Sequence, residues 1–297
     1  MKTLKKIIIG IFGVLVLSVG LALVCYPFIS NYLMSKNHDS EIAAQAEAVN
    51  MADSDTLDEM FAQAEIYNKN LMGNVILTDP FDPGFQSENN AEYESLLNIN
   101  NDSIMASVEI PRINVKLPIY HGTSQDTLLN GLGHLQKTSL PIGGKGSHAV
   151  ITGHTGLSTA RLFTDLDKLE KGDVFYIYVL NRSLAYQIDQ IKVVDPTDTS
   201  DLRIDSDEDY VTLVTCTPYG VNSHRLLVRG TRIPYEEAET LVEAMSPSES
   251  TWMLEYKNAL IIGAIALVAV IIVFILIKLL ISKYKKNKNK SRKHKTD

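Results

Sequence analysis

Two long stretches without a charged residue lie near the two ends of the 297-residue chain. The first covers residues 7–35 and the second residues 259–277, with three further apolar residues after Lys278. A helix needs about 20 apolar residues to cross the roughly 30 Å of hydrocarbon in a bilayer. The sequence therefore predicts two transmembrane helices, at residues 7–30 and 259–281, and excludes an ordinary soluble protein.

Basic residues flank both apolar stretches on their outer sides. Lys2, Lys5 and Lys6 precede the first, and eight basic residues between 283 and 295 follow the second. The positive-inside rule then places both termini in the cytoplasm and the intervening chain outside the cell. A cleaved signal peptide is the alternative for the first stretch, but its apolar region is usually shorter. The basic tail is expected to lie on membrane lipid or to be merely solvated.

The segment between the two apolar stretches is strongly acidic. Residues 36–257 contain 34 of the 35 acidic residues but only 16 of the 28 basic ones. Nucleic-acid binding requires clustered Lys and Arg that displace counterions. The composition therefore excludes a nucleic acid as partner.

The exterior segment changes character twice along its length. Residues 36–71 have apolar residues at helical spacing, whereas residues 72–103 are rich in Pro and Asn, which is typical of a structured loop or linker. Short runs rich in Val, Ile and Tyr follow, at residues 106–110, 116–120, 149–152, 174–180, 184–194, 210–216 and 225–232. These runs predict a mostly antiparallel barrel or sandwich. One helix is predicted within it, at residues 157–169.

Cys216 is the single cysteine outside the membrane-spanning stretches, so the exterior segment has no intrachain disulfide. It ends a predicted strand and precedes a loop with Pro218 and Gly220, a position typical of a nucleophile at the rim of a sheet. A buried structural thiol is the alternative. A reactive thiol also needs a base or a positive field nearby.

Histidines are the candidates for the base, and an arginine is the candidate for the positive field. The exterior histidines are His38, His121, His134, His148, His154 and His224, and spacing alone does not decide among them. His154 stands between Gly153 and Gly156, in a loop that leaves room for a substrate. Arg225 follows Cys216 after a short loop, so the two are expected on adjacent antiparallel strands, where a guanidinium could stabilise an oxyanion. A surface arginine that balances the acidic segment is the alternative.

No metal or cofactor is expected. Asp205, Asp207 and Asp209 imitate the start of a calcium loop, but Tyr210 stands where that loop requires glycine.

The residues resemble the sortases, and more narrowly the class C, pilus-assembling sortases of Gram-positive bacteria. The resemblance is carried by the Thr-Leu-X-Thr-Cys signature at residues 212–216, by His154 after Thr152-Gly153, and by Arg225. It implies a closed eight-stranded β-barrel, mainly β, with short helices and N-terminal helices, flanked by the two transmembrane helices.

The resemblance also implies an activity. Such an enzyme cleaves a Leu-Pro-X-Thr-Gly-like sorting signal between Thr and Gly. Cys216 would form a thioacyl intermediate, His154 would protonate the leaving amine, and Arg225 would stabilise the substrate or the oxyanion. A lysine of a pilin subunit then resolves the intermediate and polymerises the pilus. At reference pKa values near 8.5 and 6.5, thiolate and imidazolium would coexist in only about 1% of molecules at pH 7.

Class C sortases also carry a lid with an Asp-Pro-aromatic motif, which Asp79, Pro80 and Phe81 match. By resemblance, Asp79 would engage a polar group such as Arg225, and Phe81 would cover Cys216. An ordinary proline turn is the alternative. The predicted organisation is a cytoplasmic start at 1–6, membrane helix 7–30, helical segment 36–71, lid and linker 72–103, catalytic barrel 104–250, membrane helix 259–281 and basic tail 282–297.

Two other functions stay open from the sequence. Water instead of an amine could resolve the thioacyl intermediate, which would make the protein a cysteine peptidase. A membrane-anchored β-barrel binding module or adhesin, with a structural Cys216, belongs to a different class. Loss of sorting-signal processing in a Cys216→Ala variant would separate both enzymes from the binding module.

Overall fold

The computed structural model describes residues 2–71, 78–82, 90–157 and 160–245, together with ten helical residues between 257 and 272. The chain separates into two compact units, Met1–Ser248 and Glu249–Asp297. Most of the second predicted membrane helix and the whole basic tail lie outside the described residues. Most of the linker between residues 72 and 89 does as well, whereas the Asp79 turn is described.

The first unit contains a closed barrel of eight strands in the order β1-β2-β3-β4-β7-β8-β6-β5. The strands are β1 (Ile104–Ile110), β2 (Val115–His121), β3 (Leu132–His134), β4 (Ser147–Thr152), β5 (Val174–Val179), β6 (Arg182–Val194), β7 (Asp209–Thr217) and β8 (His224–Ile233). The pairs β2–β3 and β4–β7 are parallel and the other neighbours are antiparallel. The predicted mostly antiparallel barrel is therefore confirmed, and its closure excludes the sandwich.

Several helices contact the strands of this barrel. The α-helices are α1 (Lys2–Met51), α2 (Ser54–Asn70), α3 (Ala91–Ser95), α4 (Gln125–Asn130) and α5 (Tyr235–Ala244). The predicted membrane helix and the start of the predicted helical segment form one continuous helix, α1, which contains Pro27. Within the described part of the chain, one helix is long and apolar enough to cross a membrane, over Ser18–Met51. Farther along α1, His38 is buried and donates from Nε2 to the carbonyl of Asn130 at 2.6 Å, which ties the helix to the barrel domain.

Strand β3 was not predicted from the sequence. It has three residues, of which Gly133 lacks a side chain, so its apolar pattern is too short to identify. It nevertheless pairs with β2 in parallel and with β4 in antiparallel orientation, and so closes that side of the barrel.

The helix predicted at residues 157–169 is wrong. The described residues there form turns and a single 3-10 turn at Leu166–Lys168. Long-range partners hold the backbone of this segment: the amide of Arg161 donates to Asn31 Oδ1, and that of Phe163 donates to the carbonyl of His154. These tertiary hydrogen bonds outweigh the local helical preference.

Strand β7 separates two apolar layers because its side chains alternate between the faces of the sheet. Val211 and Leu213 belong to the main core of the barrel. Val214 belongs to a smaller cluster with Val150 and Leu227, on the opposite face of the sheet. By the same alternation Cys216 lies on the face of Val214, so the thiol is placed outside the barrel core.

Candidate active site

Strands β7 and β8 place Cys216 directly opposite Arg225. The two residues are cross-strand partners in an antiparallel register, near the end of β7 and the start of β8. Opposed residues on neighbouring strands have Cβ atoms about 4.5–5.5 Å apart. The short loop between the strands therefore brings the guanidinium beside the thiol, as the spacing in the sequence predicts.

His154 reaches the same edge through the parallel pairing of β4 and β7. Thr152 is the register partner of Val214, and the amide of Gly153 donates to the carbonyl of Val214 at 3.0 Å. The hydroxyl of Thr215 donates to the carbonyl of Gly153 at 2.6 Å. Because both strands run in the same direction, the residues that follow Gly153 and Thr215 leave the sheet at the same edge. These residues are His154 and Cys216.

Three of the other histidines have structural roles. The side chains of His121, His134 and His148 are buried, and their ring nitrogens contact backbone carbonyls and hydroxyls. His134, for example, lies between the hydroxyl of Tyr93 and the carbonyl of Ser139. His224 is exposed and contacts Ser223. His154 is thus the half-buried histidine beside the thiol strand.

The Asp79 turn covers Arg225. Asp79 Oδ1 accepts from Arg225 Nε at 2.9 Å, and Oδ2 accepts from Nη2 at 2.6 Å. Both side chains are about one-tenth exposed. Arg225 Nη1 donates to the carbonyls of Asn222 and His224. All three guanidinium nitrogens are therefore engaged, two of them by Asp79.

Pro80 and Phe81 complete this cover. Pro80 is buried, and Phe81 packs against the outer apolar cluster of Val150, Val214 and Leu227. The Phe81 ring centroid lies 5.4 Å from that of His154 and 5.2 Å from the guanidinium carbon of Arg225. The aromatic side chain thus occupies the space between two of the three candidate residues. Its relation to Cys216, which the resemblance implies, stays a prediction.

Burial shifts both titratable groups of the site away from the charged forms. It raises the pKa of the Cys216 thiol; the charge of Arg225 opposes this shift and that of Asp79 reinforces it. Burial also lowers the pKa of His154. Both groups therefore favour their neutral forms more strongly than reference pKa values imply.

This arrangement provides the parts of a thiol acyl-transfer site. It offers a sulfur nucleophile, an imidazole for proton transfer and a guanidinium for a developing oxyanion. Among the described residues there is no group of three or more His, Cys, Asp or Glu side chains that could hold a metal ion.

A family model described as "Sortase domain" matches residues 108–233, which include Cys216, His154 and Arg225. The crystal structure of sortase C-1 from Streptococcus pneumoniae is 49% identical, with a TM-score of 0.63. It covers 66% of this chain, and the alignment spans 99% of that structure. The chain belongs to the sortase family. Sortases are cysteine transpeptidases, and the class C assignment is supported by these structural neighbours.

Three further sortases are also similar to this chain. A pilus-related sortase C of Group B Streptococcus is 44% identical over 64% of this chain and 95% of that structure, with a TM-score of 0.59. Sortase D from Bacillus subtilis is 32% identical over 129 residues, which are 42% of this chain and 62% of the relative. The chain thus spans less than two thirds of that curated relative. Sortase A from Bacillus anthracis is 25% identical over 76% of this chain and 95% of its own length.

Two supporting residues were missed by sequence reasoning. Thr215 holds the loop of His154 through the carbonyl of Gly153, and Asn222 holds Arg225 through its own carbonyl. The signature at residues 212–216 includes Thr215, but it does not predict the hydrogen bond of Thr215 to the carbonyl of Gly153. A backbone carbonyl has no sequence signal, so the contact of Asn222 required the structure.

Proposed function

We propose that this sortase cleaves a Leu-Pro-X-Thr-Gly-like sorting signal between Thr and Gly and transfers the acyl group to a lysine amine of a pilin subunit. The observation that carries the proposal is the convergence of Cys216, His154 and Arg225 at one edge of β7. Similarity to the pilus-related sortase C of Group B Streptococcus and to sortase C1 of its Pilus Island 1 supports the pilin as substrate.

The first half of the reaction forms a thioester. The Cys216 thiolate attacks the Thr carbonyl carbon, and the carbonyl oxygen becomes an oxyanion that Arg225 stabilises. As the bond between carbon and nitrogen breaks, His154 donates its proton to the departing Gly amine. The acyl group is then held on Sγ of Cys216, and His154 is neutral.

The second half reverses these roles. The ε-amine of the lysine attacks the thioester carbon, and neutral His154 accepts a proton from it. The bond between carbon and sulfur breaks and the Cys216 thiolate leaves. The product is an isopeptide bond between two pilin subunits, and the thiolate–imidazolium pair is restored.

The Asp79 turn acts as a lid in this scheme. Asp79 occupies the Nε and Nη2 donors that an oxyanion or substrate carbonyl would use, and Phe81 fills the space between His154 and Arg225. Substrate entry therefore requires the segment around residues 79–81 to move.

We further propose a two-pass membrane protein with both termini in the cytoplasm and the barrel outside. Helix α1 supports the first anchor, because its apolar residues are exposed. The second anchor and the tail remain sequence-based expectations. Cysteines introduced at the tail of a Cys25→Ala, Cys216→Ala variant should be protected in intact cells from a thiol reagent that does not cross membranes. Labelling of the tail would contradict this topology.

The function is tested with the full-length protein and a sorting-signal peptide. We expect peptide cleavage and, by mass spectrometry, an acyl adduct on Cys216; both should disappear in Cys216→Ala. An added amine should convert hydrolysed product into ligated product. Hydrolysis unaffected by the amine would instead indicate a cysteine peptidase, and binding without processing would indicate an adhesin.

A further inference from the structure

The loop between β7 and β8 has a fixed conformation beside Arg225. The amides of Val221 and Asn222 both donate to the carbonyl of Pro218, at 3.0 and 2.9 Å, which folds the loop back on itself. Asn222 has φ of +60°, in the left-handed region. Asparagine and glycine adopt this conformation readily, whereas a β-branched residue there is strained.

The carbonyl of Asn222 is one of two acceptors that hold the Nη1 group of Arg225. The distances from Nη1 are 3.0 Å to the oxygen of Asn222 and 2.9 Å to that of His224. Nη1 carries two hydrogens, so both are used by the loop. The guanidinium is planar, and fixing Nη1 therefore fixes the direction of the other donors.

On the opposite side of the guanidinium, the hydrogen-bond partner among the described residues is the lid residue Asp79. Nε and Nη2 donate to Asp79, and these bonds are lost when the lid opens for substrate. The bonds of Nη1 to the loop do not involve the lid. In the open enzyme they are the contacts that keep Nε and Nη2 pointing at the place vacated by the carboxylate of Asp79.

We infer that Asn222 is a positioning residue for the acyl-transfer reaction. Its left-handed backbone sets the carbonyl that orients Arg225, so that two parallel N–H groups face the substrate oxygen once the lid is open. The Asn222 side chain is exposed, so its identity matters through the backbone conformation it permits. This inference rests on the proposed function, because it assigns Arg225 a role in transfer.

The test uses full-length Asp79→Ala protein in detergent, in which Arg225 depends on the loop. Asn222→Val should lower kcat/KM for the sorting-signal peptide roughly 10- to 100-fold, since small misplacements of catalytic groups have effects of this size. Asn222→Gly should recover most of this loss, and Asn222→Ala should be intermediate. Asn101→Val is the matched control: Asn101 is exposed and has φ of +54°, but it lies before β1 and does not contact Arg225 through any hydrogen bond described here.

A second readout excludes a general folding effect. The charge of Arg225 lowers the pKa of Cys216, so a misdirected guanidinium should move the pH midpoint of Cys216 alkylation upward in Asn222→Val. Asn101→Val should show the parental midpoint. If Asn222→Val does not fold, Asn222→Ala takes its place in the test. Its kcat/KM should then lie below that of the parent.

Three results would overturn the inference. Asn222→Val could match Asn101→Val in kcat/KM and alkylation midpoint; Asn222→Gly could be as slow as Asn222→Val; or Asn222→Ala could equal the parent. Cys216→Ala, assayed in parallel, separates this from failure of the proposed function. Residual processing by Cys216→Ala would reject the proposed function, whereas its inactivity combined with unaffected Asn222 variants would reject the positioning role alone.

Discussion

The carboxylate of Asp79 forms a bidentate ion pair with the guanidinium of Arg225, at a sequence separation of 146 residues. Both side chains are almost buried, so the pair is weakly screened by solvent. It closes the lid with the same donors that the proposed reaction requires. In the proposed mechanism, lid opening and release of the Arg225 donors for the substrate are therefore one event.

Removing this carboxylate should open the site. We expect Asp79→Ala to increase the rate of Cys216 alkylation by a small reagent about 5- to 30-fold, which corresponds to about 1–2 kcal/mol of lid stabilisation. Asp82→Ala is the control, because Asp82 is an exposed carboxylate in the same turn. Equal alkylation rates in the two variants would contradict a lid held by Asp79.

The same variant should change the pH dependence of the thiol. Burial and the charge of Asp79 raise the pKa of Cys216, so the thiolate forms only at higher pH than in a free cysteine. The Asp79→Ala substitution removes the charge of Asp79 and leaves that of Arg225 unpaired, so the alkylation midpoint should move to lower pH. The measurement is the rate of alkylation against pH; an unchanged or higher midpoint would argue against this electrostatic picture.

Turnover should show a bell-shaped pH profile. The reaction needs Cys216 without its proton and His154 with one, and burial moves the two pKa values apart. The rising limb then lies at the lower pKa, that of His154, and the falling limb at the higher pKa, that of Cys216. A flat kcat/KM between about pH 5 and pH 10 would be incompatible with the pairing of these two residues.

Arg225 should not be replaceable by lysine. A lysine ammonium cannot offer two parallel N–H donors, so we expect Arg225→Lys to lower kcat/KM by about 100-fold or more. Arg229 on the same strand also forms a bidentate pair, with Asp189, and serves as the control. Arg229→Lys should keep activity within a few fold, and comparable losses in both variants would refute a specific role of Arg225.

The buried histidines should make the protein sensitive to acid. Burial lowers the pKa of His134 and of His148 to about 4. Below the unfolded-state value near 6.5 the unfolded chain binds protons that the folded protein does not, so the free energy of unfolding falls as pH falls towards 4. Two such groups give a slope of about 2.7 kcal/mol per pH unit. Urea unfolding at pH 7, 6 and 5 measures this slope, and His134→Gln should reduce it by half.

Gly153 should not tolerate a side chain. A Cβ atom there would clash with Leu132 Cδ2 and would lie 2.9 Å from the ring of Phe163. We expect Gly153→Ala to lower the free energy of unfolding by about 1–3 kcal/mol and to displace His154. Gly20→Ala is the control, because nothing lies within 4 Å of that position, and its stability should be nearly unchanged.

The sequence by itself determined the strands and one side of the site. Short runs rich in Val, Ile and Tyr, separated by turn residues, predicted seven of the eight strands. The placement of Arg225 beside Cys216 was also predictable, since a short loop between antiparallel strands leaves few registers. Local periodicity and local turn length are properties that a sequence displays directly.

The spacing of residues did not decide which histidine joins them; the resemblance to sortases pointed to His154, and the tertiary structure gives the physical reason. His154 leaves the sheet at the same edge as Cys216 because β4 and β7 are parallel neighbours, and the hydrogen bond between Thr215 and Gly153 spans 62 residues. The ion pair of Asp79 with Arg225 spans 146 residues, and the hydrogen bond of Arg161 to Asn31, in the segment expected to be a helix, spans 130. Such contacts form only when the closed barrel brings the strand ends together, and no local pattern of residues encodes that meeting.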